Sequence, residues 1–404
     1  MSSEHCVLNT TEPASAPVRS TMLPYGRQSI SDEDIQAVVE VLRSDWLTTG
    51  PKVEQFEKAF AELVGARAAV AVCNGTAALH AAAYACNIGP GDEVIVPAMT
   101  FAASSNCVLY QGGTPVFADV DRDTLLLDPR EVESKITSRT KAIVAVDYAG
   151  QPCDYDALQV IANTHDLTLI DDACHAIGGS YKGRPVGTLA DLNTFSFHPV
   201  KHVTTGEGGM ITTDDPALAQ RMRTFRNHGI TTDHRQREQQ GSWVYEMVDL
   251  GYNYRITDFQ CALGISQIAR LSERVLRRQE IALRYDKAFS AIPQIKPLAV
   301  QRDVSHAYHL YVIQLELERL SIGRREIFKA LRAAGLGVNV HYIPVHLHPF
   351  YRERLGTVPG LCPNAEAAYE RIISLPMFSG MSDDDIARVV NTVAEVCARF
   401  ARRI

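Results

Sequence analysis

Residues 194–213 read TFSFHPVKHVTTGEGGMITT and contain two strand-like segments, 194–197 and 209–213, that are joined by a loop. The loop carries one lysine, Lys201, with the hydroxyl of Ser196 five residues upstream and three glycines within the next eight residues. Glycines allow a backbone to approach a ligand closely. The arrangement is typical of a lysine that reacts, although this segment alone fits an ordinary loop lysine equally well.

Short apolar segments of the same kind alternate with helical patterns through the first half of the chain. They lie at residues 68–72, 93–97, 115–120, 142–146 and 167–170. A helix with Ser31 as its N-cap precedes them, and Ile35, Val38, Val39 and Leu42 fall on one face of it. The alternation predicts an α/β fold with a mostly parallel, doubly wound sheet and helices on both faces.

The pattern changes at about residue 256, where a long helical stretch begins and continues to residue 285. Strand-like segments follow at 306–315 and 337–341, and helical segments follow at 324–334 and 382–402. We therefore expect a large domain at residues 23–255 and a smaller α+β domain, including the long helix, at residues 256–404. Residues 1–22 are rich in Ser, Thr and Pro and predict a poorly ordered extension.

Two adjacent carboxylates, Asp171 and Asp172, directly follow the apolar segment 167–170, and His175 comes three residues later. Ionised groups at the end of a buried strand are costly unless they are paired. One interpretation is a helix N-cap beside a solvated neighbour. The other is that one carboxylate pairs with the cationic ring nitrogen of a cofactor that acts as an electron sink.

Two more strand ends carry candidate ligand residues. Gly75 and Thr76 lie in a strand-to-helix turn whose free NH groups would suit a phosphate, although turn chemistry alone also explains them. Phe101 follows the segment 93–97 and is either a core aromatic or a ring that stacks on a flat heteroaromatic group. Open α/β sheets bind ligands beyond the carboxyl ends of their strands, so we expect these residues to lie near Lys201.

Four motifs occur in one order along the chain. They are Asn74-Gly75-Thr76, Thr100-Phe101, Asp172 with His175, and Ser196 with Lys201. Their order and spacing resemble the DegT/DnrJ/EryC1/StrS family of sugar aminotransferases, whose members have fold type I and use pyridoxal 5'-phosphate. The stretch SFHPVKHVTTGEGG further resembles the branch that aminates UDP-4-keto-6-deoxy-N-acetylhexosamines on the pseudaminic acid route, the UDP-4-amino-4,6-dideoxy-N-acetyl-β-L-altrosamine transaminases.

The resemblance implies a role for each motif residue. Lys201 would bind pyridoxal phosphate covalently and then move protons during catalysis. Asp172 would pair with the pyridine nitrogen, His175 would lie near the ring, and Phe101 would cover the opposite ring face. The phosphate would be held by Gly75, Thr76 and Ser196.

The resemblance also implies contacts outside these motifs. Asn253 would reach the cofactor phosphate of a neighbouring subunit in a homodimer with shared active sites. From the residues alone, Asn253 would be interpreted as part of an exposed polar loop. Gly75, Ser196 and Asn253 would also border the substrate. Further substrate contacts are implied for Tyr25, for Asp45, Trp46, Leu47 and Thr48, and for His341, Tyr342, Ile343 and Pro344. Their rings can stack on a uracil and meet a diphosphate, although Trp46 at a helix end and His341 in the core are alternative interpretations.

Composition excludes several classes of protein. The 404 residues carry a formal net charge of −7 without a basic run, so we do not expect a nucleic-acid partner. Nine cysteines, an odd number without a Cys-x-x-Cys pair, predict free thiols and neither a disulfide framework nor a metal site. No apolar run approaches the roughly 20 residues of a membrane span, so we expect no membrane association and a cytoplasmic location.

These observations lead to one main functional hypothesis. Family members that remove a hydroxyl group carry histidine in place of the lysine, and this chain has Lys201, so amination is expected. The expected reaction passes an amino group from L-glutamate to the 4-keto group of a UDP-linked deoxysugar. The alternatives are another UDP- or dTDP-linked 3- or 4-keto sugar, and a regulator that binds the cofactor without catalysis. A nicotinamide site is not expected because no G-x-G-x-x-G follows the first strand.

Overall fold

A computed structural model describes residues 22–402 of the chain. The predicted extension at residues 1–22 therefore lies outside the described residues, apart from Met22. Nine strands lie between residues 22 and 213. They are β1 (Ala68–Val72), β2 (Glu93–Pro97), β3 (Thr114–Ala118), β4 (Thr140–Val146), β5 (Thr168–Asp172), β6 (Ser180–Tyr181), β7 (Arg184–Pro185), β8 (Leu192–Ser196) and β9 (Gly209–Thr213).

Seven of these strands form the central sheet in the order β1-β9-β8-β5-β4-β2-β3. All of them run parallel except β9, which pairs antiparallel with both β1 and β8. Every residue of β2 is buried, as expected for a parallel strand that is covered on both faces. The sheet confirms the predicted α/β class and aligns the carboxyl ends of β5 and β8.

Helices cover both faces of the central sheet. Those up to residue 268 are α1 (Asp32–Leu42), α2 (Pro51–Val64), α3 (Gly75–Ala85), α4 (Ala103–Tyr110), α5 (Pro129–Ser134), α6 (Tyr155–His165), α7 (Pro216–Phe225), α8 (His234–Gln239) and α9 (Asp258–Ile268). Two hydrophobic cores lie on opposite faces of the sheet, one around Phe56 and Ile143 and the other around Val70 and Val144.

Helix α1 follows the predicted N-cap, Ser31, and its apolar face is not its most buried side. Ile35 is 54% exposed and Leu42 is 55% exposed, whereas Asp34 is fully buried. The carboxylate of Asp34 pairs with Arg270 at 2.7 Å and accepts hydrogen bonds from Ser266 and Gln267. This buried polar network holds the helix through the Asp34 side and leaves much of the apolar stripe in solvent.

The second half of the chain forms a smaller α+β layer. Its elements are α10 (Leu271–Phe289), β10 (Ile295–Pro297), β11 (Val304–Ser305), β12 (Tyr311–Leu315), α11 (Arg324–Ala333), α12 (Pro349–Leu355), α13 (Pro363–Tyr369), β13 (Ile372–Leu375) and α14 (Asp383–Arg399). Strands β10, β12 and β13 form an antiparallel sheet, and β11 joins the β6–β7 hairpin. A third core around Tyr285 and Ile313 lies in this layer. The domain boundary at residue 255 stays a prediction.

Three predicted elements of this layer differ from the structure. The long helical stretch is two helices, because α9 ends at Ile268 and α10 begins at Leu271. The segment 306–315 is a strand only from Tyr311, because the amides of Ala307 and Leu310 donate instead to the carbonyls of Gly150 and Ala149. The predicted strand at 337–341 is absent, and only an isolated bridge from Asn339 to Ser374 is present there.

Residues 22–402 include no helix that has both the length and the apolar character needed to cross a membrane. The same part of the chain holds no group of three or more His, Cys, Asp or Glu residues that is arranged to bind a metal ion. Its eight cysteines are all free.

Candidate active site

A cavity of about 730 Å³ opens where β5 and β8 end and α3 begins. Its lining includes Tyr25, Gly75, Thr76, Thr100, Phe101, Asp172, Cys174, His175, Ser196, Lys201, Glu207, His309, Asn339, His341 and Tyr342. Most of the residues predicted from the four motifs therefore meet in one place. The position at the carboxyl ends of parallel strands is the usual ligand site of open α/β sheets.

Lys201 is presented by the loop between β8 and β9. The loop folds back on itself, because the amide of Lys201 donates to the carbonyl of His198 (2.9 Å) and the amide of Thr205 donates to that of Phe197 (3.0 Å). Burial lowers the pKa of the Lys201 amine, while the nearby Asp172 acts in the opposite direction. A lowered pKa favours the neutral amine, which is the nucleophilic form of a lysine.

Asp172, the last residue of β5, is buried and oriented by neighbours. Its Oδ2 accepts a hydrogen bond from the Ser104 hydroxyl at 2.6 Å, and its Oδ1 accepts one from the Cys174 amide at 3.3 Å. The Ser104 hydroxyl lies 2.7 Å from that of Thr100. These contacts fix the carboxylate at the floor of the cavity, where it can face a cationic group of a ligand.

Gly75 and Ser196 form a cradle at the start of α3. A Cβ atom added at Gly75 would lie 2.8 Å from the Cβ of Ser196, so the close approach requires glycine. The N-cap Asn74 accepts a hydrogen bond from the Ala77 amide at 2.8 Å, which fixes the first turn of the helix. The first amides of a helix have no partner within the helix and attract anions, so this turn can bind a phosphate beside the Ser196 hydroxyl.

Aromatic and imidazole rings form the wall of the cavity. Phe101 is 60% exposed, and its ring centroid lies 5.9 Å from that of Tyr342. The Tyr342 hydroxyl lies 3.1 Å from Nε2 of His175, whose Nδ1 has no hydrogen-bond partner within the described chain. Burial, reinforced by the Lys201 charge, lowers the pKa of His175 well below its usual value. The imidazole of His175 is therefore neutral at pH 7. One of its two ring nitrogens is then a hydrogen-bond donor and the other is an acceptor.

Tyr25 and His341 lie together at the mouth of the cavity, with ring centroids 5.4 Å apart. His341 was interpreted either as a substrate contact or as a core histidine, and the structure fits both. It lines the cavity, and its Nδ1 also lies 2.8 Å from the Ser374 hydroxyl. Burial lowers the pKa of His341 to about 4. It is neutral at physiological pH and contributes no cation to this wall.

Other predicted contact residues do not line this cavity. Residues Asp45, Trp46, Leu47 and Thr48 lie beside the start of α9, where the carbonyl of Leu47 accepts a hydrogen bond from the Asp258 amide at 2.9 Å. Ile343 is exposed and Pro344 is buried outside the cavity lining. Asn253 is exposed and forms a bridge with Asn227.

Several site residues were missed in the sequence, among them Glu207 in the lysine loop. Ser104 holds Asp172 from within α4, His309 lines the cavity from the segment before β12, and Asn339 lies beside His341. Ser104 carries a weak signal, because it lies three residues after Phe101 in the first turn of α4. His309 and Asn339 are brought to the cavity only by the packing of the smaller layer, for which the sequence offers no local pattern.

Comparison with known proteins connects this geometry to a family. Residues 28–394 match the DegT/DnrJ/EryC1/StrS aminotransferase family. The chain belongs to this family. The spore coat polysaccharide biosynthesis protein SpsC of Bacillus subtilis is 45% identical over 380 residues, which cover 94% of this chain and 98% of that protein.

Solved structures of relatives in the DegT/DnrJ/EryC1/StrS family share the fold. Spr1654 of Streptococcus pneumoniae, described as a sugar aminotransferase and solved in its PMP form, has a TM-score of 0.88 at 35% identity, with 93% of this chain and 99% of that chain covered. Its PLP form has a TM-score of 0.87. PseC of Helicobacter pylori, an aminotransferase involved in the biosynthesis of pseudoaminic acid, has a TM-score of 0.87 at 32% identity. The match covers 94% of this chain and 100% of that chain.

The protein is therefore a sugar aminotransferase of fold type I that depends on pyridoxal phosphate. The cavity fits this cofactor on its own evidence. Gly75 approaches Ser196 closely at the start of α3, where the first helix amides can attract an anion, Asp172 is an oriented buried carboxylate, and Nδ1 of His175 is a buried polar atom without a partner within the described chain.

Proposed function

We propose that this enzyme transfers an amino group from L-glutamate to the 4-keto group of a UDP-linked 4-keto-6-deoxy-N-acetylhexosamine. The observation that carries the proposal is the meeting of Lys201, Asp172 and the Gly75–Ser196 cradle in one cavity. The choice of sugar is supported by the stretch SFHPVKHVTTGEGG and by the similarity to PseC.

Each residue has a distinct part in the proposed reaction. When bound, pyridoxal phosphate withdraws electrons from the carbon atom that carries the transferred nitrogen. Asp172, held by Ser104, would stabilise positive charge on the ring nitrogen, while Gly75, Thr76 and Ser196 would hold the phosphate. Lys201 would hold the cofactor and carry the proton at Nζ in both half-reactions, which requires only one base on one face of the ring.

The charge in the cavity supports a homodimer with shared active sites. Within the described chain, Lys201 is the one cavity-lining residue with a formal positive charge, whereas Asp172 and Glu207 are acidic. A UDP-sugar and glutamate are both anionic, so their binding needs further cations. Asn253 and the loop of Asp45 to Thr48 are exposed or lie outside this cavity. None of these residues is a cation, so their exposure and their position outside this cavity, and not the charge, lead us to assign them to the cavity of a second copy.

Absorption spectroscopy tests the reaction directly. The full-length protein loaded with pyridoxal phosphate should show the band of the lysine-bound cofactor, lose it with L-glutamate, and regain it with the UDP-4-keto-6-deoxy-N-acetylhexosamine. A dTDP-linked 4-keto-6-deoxysugar, added in parallel, tests the alternative substrate. Recovery of the band only with the dTDP-linked sugar would overturn the proposed substrate, and a band unchanged by glutamate would overturn the proposed donor.

Lys201→Ala tests the role of the lysine. Turnover should fall by about 10⁴-fold or more, because the covalent attachment and both proton transfers are lost together. Lys182→Ala is the matched control, since Lys182 lies on the surface hairpin and pairs with Asp156 at 2.6 Å. Borohydride reduction followed by peptide mass spectrometry should place the cofactor on Lys201. Attachment at another lysine would contradict the assignment.

A further inference from the structure

Two tyrosine rings pack against a buried histidine of α3. His80 is only 2% exposed, and its ring centroid lies 5.0 Å from that of Tyr252 and 5.8 Å from that of Tyr254. The two tyrosine rings are stacked, with centroids 5.0 Å apart and an angle of 15° between their planes. His80 therefore joins the helix that begins at Gly75 to the segment that carries Asn253.

The imidazole of His80 has a hydrogen-bond partner at each nitrogen. Nε2 of Gln111, the residue that follows α4, lies 2.7 Å from Nε2 of His80. An amide nitrogen can only donate, so Nε2 of the imidazole accepts and the ring hydrogen lies on Nδ1. Nδ1 is 3.0 Å from the hydroxyl of Tyr254 and donates to it. Burial lowers the pKa of His80 to about 4, so this neutral form is present at pH 7.

The backbone on either side of Asn253 is extended and paired. The amide of Tyr254 donates to the carbonyl of Arg226 (3.0 Å), and Asn253 forms an antiparallel bridge with Asn227. Successive side chains of an extended segment point to opposite sides. Because the tyrosines before and after it are held against the imidazole, the side chain of Asn253 is directed to the other side, where it is exposed.

We propose that the hydrogen bond from His80 to Tyr254 positions Asn253 for the cavity of a second copy. The inference deepens the proposed function, because it rests on Asn253 reaching the cofactor phosphate there. His80 and Tyr254 are positioning residues, since neither lines the cavity of its own copy. They fix the segment before the cofactor binds, which reduces the entropy that its ordering would otherwise cost.

Tyr254 also has a contact near the phosphate cradle of its own copy. Its carbonyl accepts a hydrogen bond from the amide of Cys73 (2.9 Å), two residues before Gly75. A loosened Tyr254 could therefore disturb the cradle of its own copy as well as Asn253 in the cavity of the other. A double-mutant cycle separates these two routes, since only the second route needs Asn253.

The test measures the dissociation constant of pyridoxal phosphate by fluorescence titration of the full-length protein freed of cofactor. Tyr254→Phe removes the hydroxyl but keeps the ring, and it should raise the constant about threefold or more. Asn253→Ala should raise the constant as well, and Tyr254→Phe should have no further effect in the Asn253→Ala background. Tyr110→Phe is the matched control, because the Tyr110 ring lies 5.1 Å from that of His80 and its hydroxyl forms no hydrogen bond within residues 22–402.

A pair of variants at His80 separates the hydrogen bond from the packing of the ring. His80→Asn and His80→Ala both lose the ring, but the amide nitrogen of the asparagine side chain can replace Nδ1 as a donor. His80→Asn should therefore bind the cofactor about threefold more tightly than His80→Ala. Equal affinities of the two variants would overturn the proposal.

The cycle also distinguishes this inference from the proposed function. If Asn253→Ala weakens binding, the shared site stands. An unchanged constant in Tyr254→Phe, or an equal effect of Tyr254→Phe with and without Asn253→Ala, would then overturn the inference alone. An unchanged constant in Asn253→Ala would overturn both the inference and the assigned contact. Circular dichroism verifies that each variant is folded.

Discussion

Asp147 and Asp171 are two fully buried carboxyl groups near Asp172; Asp147 directly follows β4, and Asp171 lies in the neighbouring strand β5. Asp147 accepts hydrogen bonds from the Tyr155 hydroxyl (2.8 Å) and the Cys153 amide (2.9 Å), whereas neither oxygen of Asp171 has a partner within the described chain. Burial raises the pKa of Asp147 to about 7 and raises that of Asp171 well above its usual value. Both groups therefore bind a proton more tightly in the folded chain than in the unfolded chain.

The sign of the pH effect follows from these raised pKa values. The contribution to stability is complete below the unfolded pKa of about 4 and is lost as the pH rises through the folded value. Asp171→Asn, which is neutral at every pH, should raise the melting temperature relative to the wild type by about 2–4 °C at pH 8 and by less at pH 5. Differential scanning calorimetry at both pH values measures this difference.

The surface residue Asp156 is the matched control for that substitution. It pairs with Lys182 and Arg184, and the hydrogen bond from Lys182 lowers its pKa. Asp156→Asn should therefore bring no gain in melting temperature at pH 8. A gain for Asp171→Asn that is equal at pH 5 and pH 8 would show that the buried pair does not titrate in this range.

Gly75→Ala tests the phosphate cradle. The new Cβ would lie 2.8 Å from the Cβ of Ser196, which forces the helix start and the strand end apart. We expect the dissociation constant of pyridoxal phosphate to rise by about tenfold or more, because a shift of this kind costs about 1–3 kcal/mol. Fluorescence titration of the cofactor-free protein measures the constant. Gly89→Ala is the control, since the nearest atom to its Cβ is 4.0 Å away, and equal affinity in the two variants would contradict the assignment.

Residues at or just after the carboxyl ends of strands were the easiest to predict as cavity residues. Asp172 ends β5, while Gly75 and Lys201 follow β1 and β8, and the topology of the sheet brings these positions together. His309 could not be found in this way, because its place in the cavity depends on how the smaller layer packs against the central sheet. Its role, and those of the motif residues, stay predictions.

At the scale of elements, the strands of the central sheet were predictable because they are apolar throughout and buried on both faces. The segment 337–341 misled the prediction, because apolar residues there pack beside Leu23 and Ser374 without forming a ladder. In helix α1 the apolar stripe does not coincide with the most buried side, because Asp34 is fully buried and pairs with Arg270.

Helix α14 depends on a capping box that can be removed by one substitution. The Ser382 hydroxyl accepts from the Asp385 amide (3.1 Å), and the Asp385 carboxylate accepts from the Ser382 amide (3.0 Å). Ser382→Ala should lower the free energy of unfolding by about 1 kcal/mol, because the start of the helix loses its cap. Urea unfolding followed by circular dichroism measures the loss. Ser379→Ala, in the preceding turn, is the control, and equal losses in both variants would show that the cap is not the cause.

At the scale of the whole molecule, large apolar side chains lie in solvent on one segment of the chain. Trp243 is 85% exposed, Leu250 is 69% exposed and Met247 is 63% exposed. Contiguous exposed apolar residues usually mark an interface with another protein. They lie in the same stretch as Asn253, which supports the proposal that this stretch packs on a second copy of the chain.

Mixed dimers test that proposal through activity. In the proposed homodimer, each active site takes Lys201 from one copy and Asn253 from the other, so Lys201→Ala and Asn253→Ala each damage both sites. A mixed dimer of the two variants has one intact site and one site that lacks both residues. Unfolding and refolding an equal mixture should therefore restore roughly a quarter of wild-type activity, because half of the dimers are mixed and half of their sites are intact. Activity that stays at the mean of the two separate variants would place both residues in the same copy's site or exclude Asn253 from catalysis, and analytical ultracentrifugation of the mixture verifies that dimers have re-formed.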